Sequence, residues 1–171
     1  IWIWLDPTNR CNLSCDLCYT KESHSNLDLS LENFKKMNYQ LSNSHHEIQL
    51  IHLNWRGEPL MNKQFLSILK FAKSNCKLPL HWHTNGILLS DKTCEEICEN
   101  SSQNMKLYIS IDGGTKETHD KNRGSGTFKK SLAGLRKLLE TRKNNQLPFI
   151  GVYTINMGIP ESNYDEEFKK I

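Results

Sequence analysis

Five apolar, β-rich runs alternating with helix-like patterns constrain this chain more than any other feature. The sequence predicts strands over Ile1–Leu5, Ile48–Asn54, Leu80–Thr84, Leu107–Ile111 and Ile150–Ile155. Between them, apolar residues recur at helical spacing. Ser30 can cap a helix carrying Leu31, Phe34 and Leu41 inward, and Phe65, Leu66, Ile68, Leu69 and Ala72 form the apolar side of a second. Ser90 can cap a third with Cys94, Ile97 and Cys98 inward, and Thr127 a fourth with Phe128, Leu132, Leu135 and Leu139 inward. A fifth is predicted to start near Glu161, after Pro160. Strand–helix alternation implies an α/β fold with a parallel sheet and helices outside it. A closed or partly closed barrel collects function at the carboxyl ends of its strands. An open doubly wound sheet, the alternative, does the same.

Each predicted strand is followed by a polar or glycine-bearing motif. In order these are Asp6 to Tyr19, Arg56-Gly57-Glu58-Pro59, Thr84-Asn85-Gly86, Asp112-Gly113-Gly114, and Asn156. All five are expected to converge on one rim. The first contains Cys11, Cys15 and Cys18, spaced C-x3-C-x2-C. Three thiolates in one short loop can hold a single inorganic centre and leave one corner open. An iron–sulfur cube held that way keeps one iron free to bind something else, much as a catalytic zinc keeps an open position. The competing reading is a structural zinc site completed by a distant His or Cys.

The chain has 171 residues, which predicts one domain. Its first residue is Ile, and it stops at Ile171 inside a predicted helix, so we expect a fragment, cut at both ends, of a longer protein with a further C-terminal domain. The net charge of +3 is small and the lysines are spread along the chain, giving no nucleic-acid footprint. Lys129, Lys130, Arg136 and Lys137 read as the solvated face of a helix. No apolar run is long enough to span a bilayer, and no signal peptide is expected. Half of the six cysteines form one tight cluster, which favours metal binding in a reducing compartment over disulfides; a cytoplasmic location is expected. Cys94 and Cys98 sit at i and i+4, as two metal ligands can, but with Ile97 they read as buried and inert.

The cysteine loop, then Gly-Glu-Pro, then Thr-Asn-Gly, then Ser-Ile-Asp-Gly, each at a strand end and in that order, resembles the radical S-adenosylmethionine (SAM) enzymes along nearly the whole chain. Members with a further SPASM or twitch cluster domain are closest in pattern, on Arg56-Gly57-Glu58-Pro59-Leu60 and on His119 to Gly124. The resemblance implies a partial TIM-type (β/α)6 barrel, of which this chain carries about five β/α units. It implies that Cys11, Cys15 and Cys18 ligate a [4Fe-4S] cluster whose fourth iron binds SAM. Leu17 then lies near the adenine, with Tyr19 sharing that surface. Gly57 and Glu58 match the motif that engages the methionine amino end, although many members have glycine where this chain has Arg56. Asn85, Ser110 and Asp112 match positions that bind the ribose hydroxyls and the methionine carboxylate. Arg123 matches an arginine that pairs with that carboxylate, and reads equally as a surface-loop arginine. Asn156 matches a position that contacts the adenosine, and a strand-end Asn also serves as a cap or turn residue.

The chemistry so implied is reductive cleavage of SAM and hydrogen abstraction from a substrate carbon. A peptide or small polar metabolite is the expected substrate, and a flavodoxin or ferredoxin the expected electron donor. A non-catalytic iron–sulfur or zinc-binding module would need a fourth protein ligand and would leave Gly57, Glu58, Asn85, Ser110 and Asp112 unexplained. An RNA-modifying radical SAM enzyme would bring a basic groove or an RNA-binding domain. Strand side chains alternate, so Tyr108, Ser110 and Asp112 are predicted to face the interior, and Leu107, Ile109 and Ile111 the helices. His81 and His83 share parity with Asn85, and His52 and Asn54 are predicted to point inward on the second strand.

Overall fold

Parallel strand pairing organises the molecule. The computed structural model describes residues 1–20, 26–142 and 147–170. Its strands are β1 (Trp2–Trp4), β2 (Leu50–His52), β3 (Leu80–Thr84), β4 (Met105–Ser110) and β5 (Phe149–Tyr153). They form one parallel sheet in the order β1-β2-β3-β4-β5. A doubly wound sheet reverses its strand order at a switch point. Strictly sequential neighbours instead make the wall of a barrel, which decides between the two expected architectures. β1 and β2 are shorter than predicted, but single backbone hydrogen bonds extend their pairing, from Leu5 N–H to His52 O and from Leu53 N–H to His81 O, both 2.8 Å.

The helices cover one face. They are α1 (Leu31–Ser42), α2 (Phe65–Asn75), α3 (Asp91–Glu99), α4 (Lys116–Arg123), α5 (Thr127–Arg142) and α6 (Glu166–Lys169). Ser30 and Ser90 cap α1 and α3 by accepting from Asn33 N–H and Thr93 N–H, as their positions predict. Ile51, Leu53, Leu80, Trp82, Leu107, Ile109 and Ile111 are buried beneath the helices. Each such side chain contributes about 1.5–3 kcal/mol on leaving water. Cys94 and Cys98 lie in the same core, and burial pushes the Cys94 thiol up to about 12.

Three helical elements differ from the prediction. α4 occupies a stretch for which no helix is predicted: its composition is polar and only His119 and Asn122 are buried, so no apolar period announces it. Thr115 caps it by accepting from Thr118 N–H at 3.2 Å. Thr127 is the first residue of α5 rather than its cap. The capping acceptor is Asp120, reaching from α4 to the N–H groups of Gly126 and Phe128, both 2.9 Å. The predicted fifth helix is a 3-10 turn over Glu161–Asn163 followed by the short α6. Among the described residues, no helix is long and apolar enough to cross a membrane.

Candidate active site

The loop after β1 is tied down at its base before the first cysteine. Thr8 Oγ1 donates to Asp28 Oδ1 at 2.6 Å, and Arg10 grips the same carboxylate while donating to Met61 O at 2.8 Å. Gly57, after β2, packs directly on this base. Its φ is +70°, and an added Cβ would run into the Thr8 carbonyl oxygen and sit 2.6 Å from that of Arg10. Only glycine combines that conformation with that approach. Arg56 turns away from the centre, its Nε donating to Asp6 Oδ2 at 2.7 Å.

The cysteine loop is then pinned from three sides. Glu58 N–H donates to Arg10 O at 2.8 Å. Asn85 Nδ2 donates to Asn12 Oδ1 at 2.8 Å. On α4, the Asn122 carbonyl accepts from Asp16 N–H at 2.8 Å, and Asn122 Oδ1 accepts from Leu17 N–H at 2.9 Å. Cys11, Cys15 and Cys18 are all free of disulfides. They line a cavity of about 270 Å³ at the carboxyl ends of the strands, shared with Leu17, Tyr19, Gly57, Glu58, Asn85, Ser110 and Arg123. A second cavity of about 600 Å³ lies along the same loop.

Among the described residues, no group of three or more His, Cys, Asp or Glu is gathered closely enough to hold a metal ion. The three thiols are a donor set of one soft type, on one loop, facing one cavity, and close enough for charge on Cys15 and Cys18 to act on Cys11. That set suits thiolate ligation of an iron–sulfur cluster. Desolvation pushes the metal-free Cys11 thiol up to about 11. It raises Cys15 as well, against the pull of Arg123. Ligation of such thiols releases protons.

Glu58 is buried at the cavity wall. Oε1 accepts from Thr84 Oγ1 at 2.7 Å and Leu60 N–H at 3.3 Å, and Oε2 from Asn85 N–H at 2.8 Å. Desolvation still raises its pKa, with these donors and Arg123 opposing. A cation arriving in the cavity would therefore meet a carboxylate short of positive charge. Arg123, also on the wall, grips the fully buried Asp112 with Nε at 2.7 Å and Nη2 at 3.1 Å. Burial alone would raise Asp112, but Arg123 and Asn122 outweigh it and hold the carboxyl below its ordinary value. Ser110 makes no hydrogen bond through its hydroxyl among the described residues, so that group is open to a ligand.

The structure thus brings ten of the twelve predicted residues to one cavity: Cys11, Cys15, Leu17, Cys18, Tyr19, Gly57, Glu58, Asn85, Ser110 and Arg123. It does not bring Asp112 or Asn156 there. Asp112 lies one layer below, as the partner of Arg123, Asn122 and the Ile155 N–H. Asn156 is exposed and accepts from Gly158 N–H at 2.8 Å, closing a turn. Arg123 is the last residue of α4, not a loop arginine.

The sheet's inner face adds a feature the sequence only hinted at. His52, His81, His83, Tyr108 and Tyr153 form a run of rings in mutual contact, with Trp4 stacked on His52 at 4.9 Å. Burial, then the neighbouring imidazoles, hold His83 at about 4, so it is neutral near pH 7. His83, Tyr153 and Asn54 reach the cavity wall, and Asn54 Oδ1 is buried without a hydrogen-bond partner among the described residues. Asn54 is predicted to point inward from strand parity, but Asn122 and Trp55 are not among the predicted site residues. Their roles depend on contacts with distant segments, for which the sequence carries no local signal.

Comparison with known proteins gives the family and the fold. The model of the Radical SAM superfamily matches residues 5–171. An uncharacterized protein of Methanocaldococcus jannaschii, MJ0907, is 33% identical over 172 residues, covering 97% of this chain and 56% of its own length. The sporulation killing factor maturation protein SkfB of Bacillus subtilis is 34% identical over 164 residues, covering 95% of this chain and 36% of SkfB. The chain therefore spans only about a third to a half of these curated relatives. Among solved structures, anSMEcpe with bound S-adenosylmethionine and a peptide superposes with a TM-score of 0.68 at 20% identity, over 91% of this chain and 42% of that one, a likeness of fold.

Proposed function

This chain belongs to the radical SAM superfamily, and we propose that its cavity binds SAM beside a [4Fe-4S] cluster held by Cys11, Cys15 and Cys18. The observation that carries this reading is the meeting of three free thiols, the buried Glu58 carboxylate and the Arg123 guanidinium on one cavity of about 270 Å³. When bound, such a cluster would supply the one-electron reduction of SAM that starts hydrogen abstraction from a substrate carbon.

The chain's own residues then hold and shield. Glu58 accepts from the SAM ammonium, a charge-assisted contact that offsets the desolvation of its carboxylate. Arg123, oriented by Asp112, faces the methionine carboxylate. Ser110 offers its free hydroxyl to the ribose. Leu17 and Tyr19 flank the adenine, with Trp55 in edge contact with Tyr19 at 5.8 Å. Asn85, whose side chain already bonds to Asn12 and Ile87, fixes the wall rather than the ligand.

The substrate enters along the inner face of the sheet, where His83, Tyr153 and Asn54 border the cavity. That face carries neutral imidazoles and aromatic rings, which suits an uncharged polar substrate held close with water excluded. A peptide fits best, in keeping with the naming of SkfB as a maturation protein. A small flavodoxin or ferredoxin is the electron donor in this reading.

The test uses the full-length protein, reconstituted with iron and sulfide without oxygen, reduced with dithionite and given SAM. Chromatography should reveal 5′-deoxyadenosine, and Cys15→Ala should abolish it together with the cluster absorbance. A cluster that leaves SAM uncleaved, or a C15A protein with full absorbance, would overturn the reading.

A further inference from the structure

We propose that Asn122 is a positioning residue that locks the turn between Cys15 and Cys18 to the Asp112–Arg123 pair, holding two walls of the SAM cavity in register. This rests on the SAM-binding reading above.

Asn122 is 4% exposed and uses both ends of its side-chain amide. Oδ1 accepts from Leu17 N–H at 2.9 Å, and Nδ2 donates to Asp112 Oδ2 at 2.6 Å. Its backbone carbonyl also accepts from Asp16 N–H at 2.8 Å. Both peptide N–H groups of the turn between the second and third cysteines are thereby anchored to one residue of α4. The next residue, Arg123, grips the same Asp112 with two nitrogens.

The chemistry of the contact selects an amide. The position must accept from a backbone N–H and donate to a carboxylate simultaneously. Asparagine has both functions at one carbon and no net charge. A carboxylate retains the acceptor but sets a negative charge against Asp112. Alanine loses both bonds and leaves Leu17 N–H without its acceptor. In neither case is a cysteine touched, so the capacity to ligate iron remains while the geometry between loop and Arg123 loosens.

The experiment compares wild type, N122A and N122D as full-length protein. In the metal-free state, amide hydrogen exchange over residues 12–20 should rise in both variants. After anaerobic reconstitution, iron per chain should match wild type, while SAM affinity falls about tenfold in N122A and further in N122D. The change that SAM produces in the electron paramagnetic resonance spectrum of the reduced cluster should weaken in parallel. Unchanged exchange in N122A would remove the clamp. Raised exchange with SAM affinity within twofold of wild type in both variants would show that the clamp does not position the cavity. Iron lost in step with a lowered unfolding temperature would assign Asn122 a purely structural role. Wild-type protein that binds no SAM would overturn the proposed function, while the exchange data still judged the clamp.

Discussion

The Asn85 backbone N–H donates to Glu58 Oε2 at 2.8 Å, joining the loop after β2 to the end of β3 beside the cysteine loop. A carboxylate from the loop after one strand is thus held by the first peptide past the next. Glu58 serves the wall and faces the cavity with one group.

Glu58→Gln should weaken SAM binding by roughly tenfold or more, since a charge-assisted hydrogen bond is worth about 1.5–3 kcal/mol, and should also lower stability. In the folded apoprotein the Glu58 pKa is raised, so the stability it contributes is present below its ordinary value and is lost as pH rises through the folded value. Urea midpoints taken from pH 5 to 8 should fall more with rising pH in wild type than in E58Q. Parallel profiles would contradict the assignment.

Gly57→Ala should reduce iron loading as well as stability, because its Cβ collides with backbone carbonyls one to three residues before Cys11. We expect a cost of about 1–3 kcal/mol from the forced φ alone. Thermal unfolding together with iron content would check this; normal iron with an unshifted midpoint would refute it.

Arg123→Ala leaves Asp112 as a buried, unpaired carboxylate, at a cost of about 3–5 kcal/mol. The lowered pKa of Asp112 means its contribution is present above pH 3.8 and lost as pH falls through the folded value. The gap in stability between wild type and R123A should therefore narrow as pH falls through that value. R123A/D112N should recover part of the loss, since the unpaired charge is gone; a double variant less stable than R123A would argue against burial of that charge as the cause.

His81 and His83 are each held at about 4, mainly by burial. Groups with depressed values contribute stability above pH 6.5 that is lost as pH falls toward 4. The double variant H81F/H83F should gain stability relative to wild type as the pH is lowered from 7 to 5. A constant difference across that range would show that the imidazoles do not titrate as a buried pair.

Much of this was legible in the sequence because the signals are local. Ser30 and Ser90 cap helices where a hydroxyl before an apolar period says they should. The alternation through Leu107, Ile109 and Ile111 assigns the faces of β4, and all three are fully buried. The stretch Lys116–Arg123 was illegible for the converse reason. Its helix is held by a Thr115 cap and by the burial of His119 and Asn122, not by an apolar stripe.

The sequence by itself determined the strand–helix order, the three thiols on one loop and the motif at each strand end, since periodicity and spacing act over a few residues. The tertiary structure alone decided which of those polar groups share a cavity. Asp112, alternating correctly with Ser110, was expected on the cavity wall and lies instead beneath Arg123, because α4 returns across the strand end and brings a guanidinium to it. Asn122 meets Leu17 across 105 residues of chain. Such a bond depends on how two crossovers bring their ends together, and no local pattern in either segment encodes it.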